Sequence, residues 1–437
     1  MTGRYKPYSE YKDSHGEWMG LVPCGWVLMQ AKFCFVLQRG HDLSSDQMVE
    51  GKYPVYGSNG PIGTHNVFTT KAPSITVGRS GSVGEINYVE IDYWAHNTSL
   101  YVKDFIGSPP RFIYYLLLAI NPKRLSAGSA VGTLDRNNIH SQTVAVPSDF
   151  EKNNIANFLD YQTAKIDTLI EKQQQLIQLL KEKRQSVISH AVTKGLNPNA
   201  KMRDSGIEWL GEVPAHWEIK RLKNVLVEPV KNGLFKKKEE FGSGSLLVNV
   251  GDLYTDNYFI NPETLDRVNT SNVERKQYKV ESGDVFFVRS SLKLEGIGRS
   301  ACFLENYDDV VFECHIVNAR PDKKIMSSKY LTRYLNSLHV SQEFVSRSKT
   351  TTMTTIDQGG LTTISVLIPR IEEQVEIDNY LDRQLERLDK AENFAQDSIK
   401  LLIERRAALI SAAVTGKIDV RNWVASQTEK TNKEVAA

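Results

Sequence analysis

The sequence predicts an α+β fold made of two similar copies of one unit, each with small twisted β-sheets followed by a long helix. Two observations support this prediction. Two stretches of about forty residues each show the seven-residue apolar repeat that is typical of paired helices. The chain also matches itself, segment by segment, from its first tryptophans to its last helix, which indicates an internal duplication.

The first long helix is predicted from the segment after Glu151, which contains neither Pro nor Gly between Ile155 and Val192. Apolar residues occupy every seventh position except one, and the predicted seam consists of Leu159, Ile166, Gln173, Leu180 and Val187. A second row widens the apolar stripe and consists of Leu169, Ile170, Leu176 and Ile177. Such a helix is a rod of roughly 60 Å, and it needs a helical partner to cover its apolar side. The polar Gln173 either fixes the register of that pairing or is simply tolerated.

The partner helix is found when the sequence is shifted against itself by one constant offset. Ile155–Asp160 then matches Ile377–Asp382, and Thr133–Asp135 matches Thr355–Asp357. The predicted seam of the second helix consists of Leu381, Leu388, Ala395, Leu402 and Leu409. We therefore expect the two helices to pack against each other as a coiled coil.

A second repeated motif precedes each variable block. The motif Asp–Ser–x–x–Glu–Trp begins at Asp13 and again at Asp204, and it is followed in both places by Val–Pro–x–x–Trp. A weaker match, Gly78–Ser80 with Val288–Ser290, lies between this motif and the helix. We expect the repeated tryptophans to anchor the core where each block meets its helix; they are Trp18, Trp26, Trp209 and Trp217.

The repeat sets the predicted domain boundaries. Residues 1–150 and 197–370 are the globular domains, residues 151–196 and 371–420 are the helices, and residues 421–437 are expected to be a disordered tail. Apolar patterning predicts strands at Tyr53–Tyr56, Ser74–Val77 and Tyr88–Ile91, and helices at Pro110–Ile120 and Ser327–Leu338.

Bulk composition is that of an ordinary soluble protein, with 41% hydrophobic and 24% charged residues. A net charge of +2 provides no overall basic field, so any nucleic-acid binding must come from local patches. The four cysteines form no CxxC pair, so we expect reduced thiols and no metal site, with Cys314 and His315 buried in a strand. No apolar run approaches the length of a membrane span and no signal peptide is recognised, so we expect a cytoplasmic protein that does not bind membranes.

No motif that carries catalytic chemistry is recognised. The chain has no GxxxxGK[ST] phosphate-binding loop, no HExxH and no GxSxG. The glycine-rich loop at Gly78–Gly84 could cradle a phosphate, but it lacks the GxGxxG spacing and the following helix, so a turn is the preferred interpretation. We therefore predict no catalytic residues.

Taken together, the repeated motifs resemble the specificity subunit of type I restriction-modification systems. The resemblance covers nearly the whole chain and rests on the Asp–Ser–x–x–Glu–Trp segments, the two Arg–Ser pairs, and the closing segment Pro369–Ile377 with its Glu372–Gln374 triplet. Each long helix also ends in Ala–Val–Thr, with a glycine close behind. The first closing segment differs, because Pro147–Lys152 lacks the Glu–Glu–Gln triplet.

The resemblance implies a non-catalytic protein with two target-recognition domains, each of which reads one half of an asymmetric bipartite target in double-stranded DNA. It implies that the two helices pack antiparallel as a spacer and dock two methyltransferase subunits, to which endonuclease or translocase subunits add. No cofactor is expected in this chain, since S-adenosylmethionine, ATP and magnesium belong to those partners.

DNA contact requires donors in loops: Arg or Lys for guanine and phosphate, and Asn or Gln for adenine. In the first domain the candidates are Asn59, Lys71, Arg79, Ser80, Ser82 and the loop Ser129–Asn138 with Arg136, Asn137 and Asn138. In the second domain they are Lys236, Lys237, Lys238, Arg289, Ser290, Ser291, Lys293, Arg347, Lys349 and the threonine-rich loop at 350–355.

Three alternatives stay open at this stage. The chain could be the specificity subunit of another bipartite restriction-modification family, which the neighbouring genes would reveal. It could be a coiled-coil scaffold that binds only proteins, in which case the two blocks would show no sequence-selective affinity for DNA. It could be a restriction enzyme with detached catalytic modules, although no nuclease or methyltransferase motif supports that reading.

Overall fold

The computed structural model describes residues 5–16, 18–126, 132–350 and 353–424. The chain forms two compact units, Met1–Gln174 with Gln396–Ala437 (unit 1) and Gln175–Ala395 (unit 2). The predicted boundaries treat the long helices as separate segments, whereas each unit includes one half of each helix. None of the helices in the described part of the chain combines the length and apolar character needed to span a bilayer.

The first copy runs from the first strand to the end of the first long helix. Its strands are β1 (Tyr11–Asp13), β2 (Leu21–Pro23), β3 (Val27–Gln30), β4 (Val36–Arg39), β5 (Tyr53–Gly57), β6 (Gly60–His65), β7 (Ser74–Gly78), β8 (Ile86–Val89), β9 (Trp94–Ala95), β10 (Ser99–Asp104) and β11 (Thr143–Val146). Its α-helices are α1 (Pro110–Ile120), α2 (Arg136–His140) and α3 (Asp149–Lys194).

The second copy repeats this order with additional elements. Its strands are β12 (Met202–Asp204), β13 (Glu212–Pro214), β14 (Glu218–Arg221), β15 (Lys231–Asn232), β16 (Phe241–Val248), β17 (Asp266–Val268), β18 (Val285–Val288), β19 (Ser290–Ser291), β20 (Ser300–Cys302), β21 (Val310–Phe312), β22 (Ile316–Ala319), β23 (Lys349–Thr350), β24 (Thr354–Thr355) and β25 (Ser365–Ile368). Its α-helices are α4 (Asn272–Gln277), α5 (Ser328–Leu335), α6 (Leu338–Arg347), α7 (Gln358–Thr362) and α8 (Ile371–Val414).

Each copy has the same central antiparallel sheet. The strand order is β4-β10-β7-β8 in the first copy and β15-β22-β18-β20 in the second. The inner strands β7 and β18 are buried along their whole length, which explains why both are continuous apolar or small-residue runs. The predicted class, a duplicated α+β fold with small sheets and long helices, is confirmed.

The predicted elements match the structure with three differences. Strand β8 spans Ile86–Val89, so it begins and ends two residues before the predicted Tyr88–Ile91. The helix predicted at Ser327–Leu338 ends at Leu335, and a second helix, α6, begins at Leu338; between them the Asn336 amide donates to the Ser300 carbonyl oxygen (2.8 Å). Cys314 and His315 lie in the connection between β21 and β22 and are only half-buried, so the prediction of buried strand residues is wrong. The predicted tail lies outside the described residues from 425 onward.

Each copy is joined to its long helix by a tryptophan and a glutamate. The Trp26 indole N–H donates to Glu151 Oε1 (3.2 Å), and the Trp217 indole N–H donates to Glu373 Oε1 (3.0 Å). Both tryptophans are buried, as predicted for core anchors, and Trp18 and Trp209 pack on the same cores while partly exposed. Glu151 of the first closing segment is therefore equivalent to Glu373, the second residue of the Glu–Glu–Gln triplet, although the other two triplet residues are absent from the first segment.

The two long helices pair antiparallel in each unit. In unit 2, Arg184 pairs with Asp389 and Lys181 pairs with Glu392. The residue numbers fall along α3 as they rise along α8, so the two helices run in opposite directions. In unit 1, Arg406 Nε lies 2.9 Å from Asp167 Oδ1. The antiparallel pairing that the resemblance implied is confirmed within each unit.

The predicted seam is buried in part. Leu159, Ile166, Leu381, Ala395 and Leu409 are buried, whereas the other seam positions, Gln173, Leu180, Val187, Leu388 and Leu402, are half-buried. The wider stripe is wrong at two positions, because Leu169 is 47% exposed and Leu176 is 41% exposed. A pair of helices covers one narrow stripe on each partner, and only Ile170 and Ile177 of the second row lie close enough to it.

A buried ion pair fastens α5 to α8. The side chain of Arg333 is 1% exposed, its Nη1 lies 2.9 Å from Asp378 Oδ1, and its Nη2 pairs with Asp382. In the first copy the Tyr115 hydroxyl donates to Asp160 (2.6 Å), which is the residue equivalent to Asp382 in the repeat. A buried guanidinium that loses its carboxylate is strongly unfavourable, so this contact is sensitive to substitution.

We expect Asp378→Ala to lower the free energy of unfolding by about 3–5 kcal/mol, because Arg333 would remain buried without its main counter-charge. The matched control is Lys390→Ala, which removes an exposed pair with Glu386 on the same helix and should leave the free energy of unfolding almost unchanged. Equilibrium denaturation followed by circular dichroism measures both. Equal effects of the two substitutions would contradict the prediction.

Candidate nucleic-acid interface

In both copies an arginine directly follows the inner strand of the central sheet, and the backbone holds it in the same way. The Arg79 N–H donates to the Thr98 carbonyl oxygen (2.9 Å), and its carbonyl oxygen accepts from the Leu134 N–H (2.8 Å). The Arg289 N–H donates to the His315 carbonyl oxygen (2.9 Å), and its carbonyl oxygen accepts from the Ile356 N–H (3.0 Å). The weak sequence match at these arginines is therefore a structural repeat.

Both arginine side chains are half-exposed, and neither forms an ion pair with a described residue. A guanidinium in this position can donate two parallel hydrogen bonds to a planar acceptor such as a guanine edge or a phosphate. The fixed backbone on both sides limits the conformational entropy that such a contact would cost.

The first arginine surface consists of Asn59, Arg79, Ser80 and Ser82. A Cβ atom at Gly78 would overlap the carbonyl oxygens of Ser82 and Ser58, so glycine is required for the turn between β5 and β6 to lie against the loop after β7. Ser80 also forms a β-bridge with Thr133, which brings the segment before α2 to the same place. Four of the predicted residues are thus brought together.

The other predicted residues of the first domain lie elsewhere or serve the framework. Lys71 precedes β7, whereas Arg79 follows it, so the two lie at opposite ends of that strand. The Asn138 side chain donates to the Leu125 carbonyl oxygen (3.1 Å), which commits it to an internal contact. Arg136 and Asn137 are exposed on α2, and Ser129 lies outside the described residues.

The second arginine surface consists of Arg289, Ser290, Lys293 and Lys349. Strand β19, immediately after Arg289, pairs with β24, and β24 pairs with β23, so a small three-stranded sheet connects Arg289 with Lys349. Lys293 and Lys349 are exposed. Residues 351 and 352 of the predicted threonine-rich loop lie outside the described residues.

Two further predicted residues of the second domain already have internal partners. The Ser291 hydroxyl is buried and accepts from the Lys293 N–H (3.1 Å). Arg347 pairs with Glu343 (2.7 Å) and donates to the Thr363 hydroxyl (3.0 Å). These internal contacts hold Ser291 and Arg347 in the framework that supports the second arginine surface.

The predicted basic run at Lys236–Lys238 does not present three equivalent cations. The Lys236 ammonium lies 3.0 Å from both Glu240 and Glu274, and its side chain is only 9% exposed. The Ser271 backbone N–H and then the Lys236 ammonium lower the pKa of Glu274 to about 2. Lys237 and Lys238 are exposed.

Some residues of these surfaces were not predicted from the sequence. Leu292 is 84% exposed and Tyr254 is 50% exposed, and both line a cleft of about 460 Å³ with Ser290 and Met353. A leucine within the polar run Arg–Ser–Ser–Leu–Lys is the signal that could have identified Leu292. Tyr254 comes from a distant segment and gives no such signal.

Comparison with known proteins supports a common family. The family described as "Type I restriction modification DNA specificity domain" matches residues 33–179 and 214–399. The chain is 23% identical over 307 residues to the type I restriction enzyme StySPI specificity subunit of Salmonella potsdam, covering 70% of this chain and 64% of that protein. It is 22% identical over 317 residues to the EcoKI specificity subunit of Escherichia coli K12, covering 72% of this chain and 65% of that protein. The matches thus span less than two thirds of the length of these relatives.

Solved structures share the fold at low sequence identity. A chain from work on complex assembly and conformational transition of the type I R-M system has a TM-score of 0.68 at 12% identity, covering 91% of this chain and 99% of that chain. The HsdS subunit from Thermoanaerobacter tengcongensis has a TM-score of 0.50 at 13% identity, covering 91% and 98%. With two matched family domains that together include most of its residues, this chain belongs to the type I restriction modification DNA specificity domain family.

Proposed function

We propose that this chain is the non-catalytic specificity subunit of a restriction-modification complex, and that each of its two domains reads one half of an asymmetric bipartite DNA target. The observation that carries the proposal is the repeated arginine, held by equivalent backbone hydrogen bonds in both copies and free of ion pairs with described residues. The names of the relatives, which are specificity subunits, support the same role.

We assign base contacts to the two arginines and, for adenine, to Asn59, because these donors lie on the fixed parts of the two surfaces. The exposed lysines Lys237, Lys238, Lys293 and Lys349 are suited to phosphates, where a flexible point charge suffices. Lys236, Arg347, Ser291 and Asn138 belong to the framework in this assignment. Lys71, Arg136 and Asn137 remain candidates for phosphate contact beyond the two surfaces.

The half-sites differ in this proposal because the surroundings of the two arginines differ. Arg79 is accompanied by Ser58, Asn59 and Thr98, which are small or polar. Arg289 is accompanied by the apolar cleft with Leu292 and Met353. An apolar side chain next to a base-reading arginine favours contact with a thymine methyl group, whereas an asparagine favours adenine.

The helices are proposed to set the spacing of the half-sites and to dock two methyltransferase subunits, with endonuclease or translocase subunits added to them. Exposed apolar side chains on both helices support a docking role; on α3 Leu179 is 60% exposed, and on α8 Leu401 is 64% exposed. S-adenosylmethionine, ATP and magnesium would be bound by those partners, and this chain is assigned none of the three.

We expect Arg79→Ala and Arg289→Ala each to weaken discrimination at one half-site only. Loss of a bidentate contact to guanine costs about 1–3 kcal/mol, or roughly 5- to 150-fold in affinity for the correct base. The measurement is competition binding of the reconstituted complex to duplexes in which one half-site at a time is scrambled. Lys71→Ala is the matched control in the first domain and should leave base discrimination unchanged. If either arginine variant lost both half-sites equally, the two-reader proposal would fail.

We expect Lys237→Ala and Lys238→Ala to weaken binding uniformly across sequences, each lowering the slope of log affinity against log salt by about 1. Lys236→Ala, one residue away, should instead destabilise unit 2, since Glu240 and Glu274 lose their shared partner. This difference from the unaltered protein should diminish as the pH falls from about 4.5 to about 2, because protonation of Glu274 then removes the ion pair with Lys236 from the unaltered protein as well. A salt-slope change for Lys236→Ala without loss of stability would reverse the assignment.

The whole proposal is tested by mapping adenine methylation in the genome that carries this gene, with the gene intact and deleted. We expect one bipartite motif with a fixed gap to disappear on deletion, and we expect the chain to co-purify with a methyltransferase subunit. A protein-binding scaffold would co-purify with a partner while the methylation map stayed unchanged. Absence of both results would contradict the proposed function.

A further inference from the structure

Three potential metal ligands converge in the connection between β21 and β22. Cys314 Sγ lies 3.4 Å from His315 Nδ1, His315 Nδ1 lies 3.3 Å from Glu313 Oε2, and Cys314 Sγ lies 3.8 Å from that same oxygen. Each of these three consecutive residues offers one ligand atom, and the three atoms lie within 4.8 Å of one another. The cysteine spacing matches no zinc motif, so no metal site was expected here from the sequence.

The separations are compatible with the edges of a tetrahedral metal site, although Glu313 Oε2 also accepts from the His315 backbone N–H (3.1 Å). With ordinary zinc bond lengths, sulfur lies about 3.6 Å from a nitrogen or oxygen ligand, and nitrogen about 3.4 Å from oxygen. A hydrogen bond between a charged imidazole and a carboxylate is about 2.7–2.9 Å long, clearly shorter than the 3.3 Å between His315 and Glu313. The three atoms thus leave room for a shared ion between them.

The first copy provides an internal comparison. In the second copy the His315 carbonyl oxygen accepts from the Arg289 N–H. In the first copy Thr98 has the equivalent position, because its carbonyl oxygen accepts from the Arg79 N–H. The two preceding positions are His96 and Asn97, so the first copy has no thiol. His96 Nδ1 lies 2.8 Å from the Thr98 hydroxyl, an ordinary hydrogen bond. The longer separations are therefore specific to the connection that carries the thiol.

The backbone of this connection is held on both sides, which favours a preformed site. The Glu313 N–H donates to the Val248 carbonyl oxygen (3.1 Å), and the His315 carbonyl oxygen accepts from Arg289. A Cβ atom at Gly233 would overlap the carbonyl oxygen of Glu313, so this glycine allows the neighbouring segment to approach closely. Ligands that are fixed before binding lose little entropy when an ion arrives.

The donor set defines the class of metal. A thiolate, an imidazole and a carboxylate suit zinc and similar borderline ions, whereas calcium and magnesium prefer oxygen ligands alone. The Glu313 and His315 side chains are 18% and 43% exposed, so water can occupy the fourth position. A divalent ion is neutralised by the thiolate and the carboxylate, which makes the site compatible with the nearby Arg289 guanidinium.

We propose that Glu313, Cys314 and His315 bind one zinc-like divalent ion, with water as the fourth ligand. The ion stiffens the connection whose carbonyl oxygen anchors Arg289, so it acts as a structural site beneath the second arginine surface. The binding of the ion does not depend on the proposed function; only its effect on DNA recognition does.

The test uses the full chain, freed of metal, and titrates it with Co²⁺. We expect one Co²⁺ per chain, with the thiolate-to-cobalt charge-transfer absorption and the visible bands of a tetrahedral site, and we expect Zn²⁺ to displace it. Cys314→Ser should abolish the charge-transfer band, and His315→Gln should weaken the affinity by more than about 10-fold. Cys24→Ser is the matched control, since Cys24 is an exposed thiol outside this cluster. A band that is absent from the unaltered chain, or that persists in Cys314→Ser, would overturn the site.

A second measurement, alkylation of the cysteines, uses the unaltered chain and so does not depend on whether a variant folds. Zn²⁺ should protect Cys314 of the unaltered chain from alkylation by at least about 10-fold while Cys24 stays reactive, as read by peptide mass spectrometry. Equal labelling of Cys314 with and without Zn²⁺ would also overturn the site. If the ion binds, its removal should reduce discrimination at the Arg289 half-site alone; unchanged discrimination would refute the coupling to Arg289. Failure of metal binding would leave the two-reader proposal intact.

Discussion

A carboxylate in the first turn of each long helix determines how the rest of each copy is assembled. Glu151 is 8% exposed, and a buried carboxylate can only accept hydrogen bonds, so it must be supplied with donors. The Trp26 indole and the Tyr8 hydroxyl supply them in the first copy; the Trp217 indole and His216 supply them at Glu373. The negative charge also lies near the positive end of the helix dipole. This contact fixes the direction in which each helix leaves its closing strand.

The two copies share this framework but differ in their exposed residues. The sheet order, the bonded arginine and the helix joint occur twice, while Tyr115–Asp160 in one copy is replaced by Arg333–Asp382 in the other. A hydroxyl and a guanidinium can perform the same fastening task because both donate to a carboxylate. Apart from the serine that follows each arginine, the residues around the two arginines differ. Such a division suits a protein whose framework must stay constant while its surface changes.

The sequence predicted the large features because they repeat. The heptads, the shared offset of the helices and the tryptophan motif are local patterns that survive without any knowledge of long-range contacts. The predictions that were wrong concern residues whose surroundings are formed by distant parts of the chain. Leu169 and Leu176 have the right spacing, but the helix pair leaves them uncovered. Lys236 was indistinguishable from Lys237 until Glu274, from a distant helix, was found beside it. The converging side chains at Glu313–His315 depend on a connection held by Val248 and Arg289, which no local pattern reveals.

The position of the arginine explains how two different surfaces can arise from one framework. Its backbone is bonded on one side to the connection that ends at Thr98 or His315, and on the other to the segment at Leu134 or Ile356. Both bonds are made by main-chain atoms, so they do not depend directly on the neighbouring side chains, although Leu134 and Ile356 are themselves buried in the cores of the two copies. A base-reading contact tolerates little displacement, because a hydrogen bond weakens steeply as its geometry departs from linear. In the proposed role, the donor would stay in place while the exposed side chains around it, and with them the preferred sequence, change.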